Sequence, residues 1–324
     1  MRLPSVLAGW SPPPTRPVLY LTGIMLVALS ATMLVPAAAE AFAGSQNWQS
    51  FLVAGAIAFA AGFGTSHWAR CRLTGGLSVR QAFLLTPVAW TTLALFGAIP
   101  FYISGYGQLG DSFTNSLFES MSGLTTTGAI VVVGLDAAPP GILVWRAILQ
   151  WLGGIGIIGV AVAILPALGV GGMQLFRTES SDRSEKVMPR VREIAVAISL
   201  VYLALTVACA VAYWAVAMTP FDAVLHGLTT VSTAGFSTSD ASLAHWDNGA
   251  LHWIATLFML SGAVPFVLYL RLLQGDRDAL RDTQVGWLLI FLAVVITVVA
   301  AWLVLTGAHG PPTHCGLPHS TLFP

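Results

Sequence analysis

The chain has 324 residues, of which 56% are hydrophobic and only 9% charged, and its 14 basic and 14 acidic side chains cancel to a net charge of zero. A soluble domain carries about 25% charged residues, so this chain has too few to cover a water-exposed surface, and the balance excludes a basic nucleic-acid binder and an acidic disordered chain. Three cysteines, Cys71, Cys209 and Cys315, are odd in number and far apart, which implies no disulfide framework. The composition is that of a polytopic membrane protein.

A bilayer-crossing helix needs about 20 apolar residues. Seven charge-free runs of that kind occur in chain order: 18–39, 48–68, 81–102, 147–167, 194–218, 249–270 and 285–306. The first follows Arg2, Arg16 and the run Pro12-Pro13-Pro14, and its apolar part is too long for a signal-peptide core, so it reads as a retained helix. Two further apolar stretches, Phe113 to Leu124 and Phe221 to Val231, are about a dozen residues long, a length that suits re-entrant helices. Asp111 and Ser112 open the first, and Thr219, Pro220 and Asp222 the second, as helix-capping residues do. The expected fold class is all-α, with about seven transmembrane helices plus two re-entrant helices.

If the N-terminus is cytoplasmic, thirteen of the fourteen basic residues fall inside and only Arg146 falls outside, as the positive-inside rule requires. The outer side then collects Glu40, Asp111, Glu119, Asp136, Asp222, Asp240 and Asp247, and with one basic and seven acidic residues its net of −6 would attract cations.

The two short stretches and the residues immediately after them repeat at a spacing of 107 residues. Thr125-Thr126-Thr127-Gly128 aligns with Ser232-Thr233-Ala234-Gly235, and Glu119 aligns with His226. Each unit is a span, a half-crossing helix, a Ser/Thr/Gly return and a second span. A dehydrated monovalent cation needs oxygen ligands in place of water, and backbone carbonyls supply them without a trapping counter-charge. Gly at the turn permits positive φ and close approach. The hydroxyls of Thr125, Thr126, Ser232 and Thr233 can hold the return or line a path. A single Ser-Thr-Gly string is more often helix packing, but two copies at matching positions reverse that reading.

These residues resemble the Trk/Ktr/HKT superfamily of potassium transporters, most closely the bacterial Trk potassium-uptake membrane subunit of the TrkH/TrkG type. The segments that carry the resemblance are Ser122 to Ala129, Gln150 to Ile158, Leu165-Pro166 through Gly171 to Leu175, and Ser232 to Ser237. The resemblance implies four such units around one pore. Thr125, Thr126, Thr127, Gly128, Ser232, Thr233, Ala234 and Gly235 would then be potassium-binding filter residues, and glycine at both key positions suits potassium. It also implies a cytosolic nucleotide-binding (TrkA-like) regulatory subunit, a homodimer, a multi-pass location in the bacterial inner membrane, no cofactor beyond the transported potassium and no enzymatic activity.

The expected organisation is a cytoplasmic N-terminus (1–16), two extra N-terminal helices (17–68), a first unit (81–167), a second unit (190–272), the first helix of an incomplete third (283–306) and an atypical tail (307–324). Third and fourth filters are missing from this pattern, and the tail reads as a frameshifted or truncated end. Two chains would combine their halves, the missing part would come from elsewhere, or the fragment would not conduct. A non-conducting scaffold is therefore the alternative function, and a secondary transporter a weaker one, because the repeat is parallel rather than inverted.

Three other signals carry less. Gly154-Ile155-Gly156-Ile157-Ile158-Gly159 matches a dinucleotide pattern but lies inside a span with no preceding strand. His314, Cys315 and His319 sit in a Pro-rich tail without ligand spacing. The loop 177–193 mixes five basic with four acidic residues and reads as a solvated linker or as a docking surface for the regulatory subunit. Glu119 and His226 are read either as facing an aqueous outer vestibule or as tuning ion access.

Overall fold

The computed structural model describes residues 15–71, 77–168, 187–216 and 218–306. The linker 177–186, the Gly171 to Leu175 segment and the tail with His314, Cys315 and His319 lie outside the described residues. All regular structure among the described residues is helical. It divides into two compact units, Met1–Phe266 and Val267–Pro324.

The first unit opens with α1 (Arg16–Thr32) and α2 (Leu34–Phe42), which together form a 27-residue apolar segment interrupted at Met33. Pro36 lacks the N–H that would bond Thr32, and the helix breaks one turn before it. Helix α3 (Trp48–Trp68) packs on α1 through Gly23 and Gly62, each of which sits against the other's backbone with no room for a Cβ. Small residues at such a crossing let two backbones approach where lipid offers no hydrophobic drive.

Helix α4 (Val79–Ser104) starts in a capping box. The Ser78 hydroxyl accepts from Gln81 N, and Gln81 Oε1 accepts from Ser78 N at 2.9 Å. It ends at Gly105 in the left-handed conformation, φ 65°. After a five-residue turn, α5 (Gly107–Asp111), comes the short helix α6 (Phe113–Leu124), capped by the Ser112 hydroxyl accepting from Thr114 N. Helix α7 (Pro140–Leu168) then runs 29 residues. Its start is seven residues earlier than the charge-free run at 147, because the one charge that ended that run, Arg146, is buried and paired.

Helix α8 (Val187–Val216) leads to the second short helix, α9 (Pro220–Val231), with Pro220 at its first turn and the Thr219 hydroxyl accepting from Asp222 N. Each 12-residue helix, about 18 Å long, is too short to cross a bilayer.

The predicted sixth span, 249–270, is not one helix. Helix α10 (Gly249–Ala263) stops at Val264, whose ψ of 136° is extended, because Pro265 excludes the α conformation from the residue before it. A separate helix, α11 (Phe266–Leu273), follows. In the second unit, Arg271 donates to Asp276 at 2.8 Å, Asp276 caps the turn Arg277–Arg281, and α12 (Thr283–Thr306) runs 24 residues without a charge.

The core of the first unit gathers Leu26, Leu29 and Met33 with Phe51, Ala54, Phe101, Ile142, Trp145 and Leu149. Trp145 meets Phe51 edge-on at 6.5 Å and donates to the Gly97 carbonyl at 2.9 Å. Glu40, fully buried, accepts from Gly141 N at 2.8 Å and so caps the start of α7 from α2. With apolar helices of spanning length at 16–42, 48–68, 80–104, 193–216 and 277–306, the chain is a multi-pass membrane protein.

Replacing Gly62 with Leu is expected to cost about 1–3 kcal/mol by overpacking against α1. It should appear as a lower unfolding temperature of the detergent-solubilised chain, with Gly64→Leu, which has open space, as the neutral control.

Candidate functional site

Both short helices end in the same turn, bond for bond. In the first, Thr126 N donates to Gly123 O at 3.0 Å and Thr127 N to Ser122 O at 3.0 Å; in the second, Thr233 N donates to Thr230 O at 2.9 Å and Ala234 N to Thr229 O at 3.1 Å. This is the paired closure that normally places glycine at the left-handed position. Here that position is threonine twice, Thr126 and Thr233, each with φ 55°. A β-branched residue at positive φ is strained by about 1–2 kcal/mol and persists only where its surroundings enforce it.

The enforcing surroundings are two helix glycines. A Cβ on Gly153 of α7 would overlap the Leu124 carbonyl and press on the Thr126 methyl. One on Gly262 of α10 would overlap the Val231 carbonyl and press on the Thr233 methyl. Each bare glycine thus accepts the end of a short helix together with the methyl that comes after it.

Two residues on, Gly128 and Gly235 again take positive φ, 75° and 86°. Left-handed conformers therefore occupy the first and third of three successive residues, 126 and 128 or 233 and 235. Such alternation turns successive peptide planes and lets carbonyl oxygens face a common side. Gly128 lies against the Ala234 carbonyl so closely that a Cβ would overlap it, so the two return segments meet at that point; Gly235 has open space.

Among the predicted site residues, Thr127, Thr233 and Gly235 are exposed, Thr125, Thr126 and Gly128 half-buried, and Ser232 and Ala234 buried. The hydroxyls of Thr125 and Ser232 bond back to Met121 O at 2.8 Å and Leu228 O at 3.0 Å. These two hydroxyls therefore brace the turn. Thr125 also shares a 2.8 Å hydrogen bond with the Thr127 hydroxyl.

The reading of Glu119 and His226 as facing an aqueous vestibule is corrected. Glu119 is fully buried, pairs with Arg146 Nε at 2.6 Å and accepts from Val131 N at 2.9 Å. His226 is buried, with Nδ1 2.9 Å from Asp222 O and Nε2 3.1 Å from the Ser237 hydroxyl, and Trp246 lies edge-on at 5.0 Å. The seven acidic residues expected on the outer side are not all exposed. Glu40 and Glu119 point inward, and Asp222 accepts from the Thr219 and Thr238 hydroxyls at 2.7 Å each. Asp240, though exposed, accepts from Gly134 N and Leu135 N. A buried or partly buried carboxylate surrounded by apolar residues takes backbone N–H groups and hydroxyls as partners because water is not available.

Several residues that act here carried little signal in the sequence. Gln150 accepts from Phe236 N at 3.0 Å, and Arg146 donates to Ser237 O at 2.9 Å; both stand on α7 and reach the second return segment. Tyr106 donates to Gly134 O at 2.6 Å, and burial together with the Asp240 charge pushes its phenol pKa up, so it stays a donor. Polar side chains inside an apolar helix were the available sign for Arg146 and Gln150, but nothing local names their partners 86 and 91 residues away. Gly154 and Gly156 of α7 lie against Tyr202 and Trp90, so these two glycines of the dinucleotide-like string serve helix contact.

The family model for TrkH, a cation transport protein, matches residues 49–308. The chain is 42% identical over 309 residues to the Trk system potassium uptake protein TrkI of Halomonas elongata, covering 94% of this chain and 61% of the relative. It is 40% identical over 278 residues to the Trk system potassium uptake protein TrkH of Escherichia coli, covering 84% and 55%. The crystal structure of the potassium transporter TrkH from Vibrio parahaemolyticus superposes with a TM-score of 0.79 at 36% identity, covering 92% of this chain and 60% of that one. The chain thus spans somewhat more than half the length of these relatives.

Gly153→Ala and Gly262→Ala are each expected to cost about 1–3 kcal/mol, because the added methyl must displace a helix-terminal carbonyl. Thermal unfolding in detergent should show matching losses, and a loss at only one of the two would break the equivalence of the units.

Proposed function

The chain belongs to the TrkH cation transport protein family, and on that premise we propose that it forms part of a potassium-translocating pore in a Trk-type uptake system. The observation that carries this reading is the repeated backbone pattern. Two equal short helices end in strained threonines and then in glycines at positive φ, 107 residues apart. Strain of this kind clusters where function needs a backbone in one place.

In this reading the carbonyls around Thr125, Thr126, Thr127 and Gly128, and around Ser232, Thr233, Ala234 and Gly235, replace part of potassium's hydration shell. Potassium approaches from the side that carries the exposed Asp111, Asp136, Asp240 and Asp247. An inside-negative potential adds about 2.3 kcal/mol per charge per 100 mV to inward movement. Two return segments make half of a fourfold ring. Further segments complete it, supplied by additional chain or by a second copy in a homodimer.

The N-terminus lies on the cytoplasmic side of the inner membrane, where the basic residues concentrate. A cytosolic nucleotide-binding, TrkA-like subunit regulates the pore. The bilayer is its medium, and nucleic acid is no partner. The chain carries out no chemical step and needs no cofactor other than the ion.

Potassium-over-sodium preference, measured as uptake into cells or vesicles containing the complete Trk system, is expected to fall in both Gly128→Ser and Gly235→Ser. Gly128→Ser should be the more damaging, since it adds a collision with the Ala234 carbonyl to the roughly 1–2 kcal/mol of left-handed strain that both share. Wild-type preference in both would end the filter assignment.

A further inference from the structure

Arg146 is 1% exposed and its partner Glu119 is fully buried, in a chain with few charges to place. Removing two charges from water costs more than the pair returns unless further hydrogen bonds complete it, so a buried pair is not by itself a source of stability. The contacts of this pair give it another role. On one side, Glu119 Oε1 takes Arg146 Nε while Oε2 takes Val131 N, just beyond Gly128 in the first return segment. On the other, Arg146 Nη1 donates to Ser237 O, just beyond Gly235 in the second, and the guanidinium lies 4.2 Å over the Phe236 ring. One turn along α7, Gln150 takes Phe236 N.

The short helices differ at the matching position. Where the first has Glu119, the second has His226, which reaches the Ser237 hydroxyl. Ser237 is therefore held on its carbonyl by Arg146 and on its hydroxyl by His226 of its own unit.

We propose that Arg146, through Glu119, is a positioning residue that ties the two return segments into one rigid body, so that ion discrimination at Gly128 and Gly235 depends on an arginine that never touches the ion. The selectivity half rests on the function proposed above; the tie itself does not. A planar guanidinium suits the task because its fork serves a carboxylate and a carbonyl at once while its face covers a ring. Lysine concentrates its three N–H donors on one nitrogen and has no planar face, so in reaching Glu119 it gives up the span to the Ser237 carbonyl and the cover over the ring.

The test uses the full chain in lipid nanodiscs and reads hydrogen exchange in the peptides 127–135 and 233–240. Arg146→Gln alone strands the Glu119 charge, so the neutral pair Arg146→Gln with Glu119→Gln is the informative variant. It should exchange faster in both peptides by about fivefold or more, the factor that accompanies one lost buried hydrogen bond. Arg146→Lys, which keeps the partner of Glu119, should speed exchange in 233–240 and leave 127–135 near wild type. Faster exchange confined to 127–135 in the neutral pair, or no change in either peptide, overturns the tie.

The second arm measures the shift in unfolding temperature on adding potassium or sodium chloride. Wild type should be stabilised more by potassium and the neutral pair equally by both. A neutral pair that exchanges faster yet keeps the potassium preference overturns the link to discrimination. Should wild type itself show no potassium preference, the functional reading fails while the exchange arm still decides the tie.

Discussion

The contact between a helix glycine and the end of a short helix sets the terms for the rest of this structure. Gly153 and Gly262 have no side chain, and so the Leu124 and Val231 carbonyls and the Thr126 and Thr233 methyls can lie directly on α7 and α10. Only that close support makes a left-handed, β-branched residue tolerable as the last turn unwinds. From this turn the chain leaves with its next glycine also at positive φ, and the return segment takes its course. A looser contact would let threonine relax to negative φ and would swing the carbonyls of the next residues elsewhere.

Electrostatics in the molecule follows from scarcity. With 9% charged residues, each charge placed inside an apolar environment must find partners in the protein. Glu40 caps α7 and Glu119 meets Arg146, while the exposed Asp240 accepts from Gly134 N and Leu135 N. Not every carboxylate counted on a predicted face is exposed there, since Glu40 and Glu119 are buried. Asp240 and Glu40 act as hydrogen-bond acceptors that join segments about a hundred residues apart.

Interruption also has local causes. Pro36 ends α1 early, and Pro265 ends α10 through the restriction it places on Val264. Pro87 and Pro100, by contrast, lie within α4 without ending it. Inside a bundle a freed backbone carbonyl can be satisfied by neighbouring groups, so a proline need not end the helix.

The sequence alone determined the all-helical membrane class, the extents of the two short helices and the register of the repeat, because hydropathy, capping residues and spacing are local or periodic properties. Thr126, Gly128, Thr233 and Gly235 could be singled out on the same basis. It could not reveal that Thr125 and Ser232 turn their hydroxyls back to their own helices, nor that Glu119 and His226 are buried. The start of α7 was hidden because a charge looks like the end of a span until its partner is known. Gly153, Gly262, Arg146 and Gln150 acquire their roles from residues 27 to 91 positions away that only folding brings within reach. A glycine or an arginine in an apolar run is written the same way whether it faces lipid or supports a carbonyl, and only the packing of one unit against the next decided which.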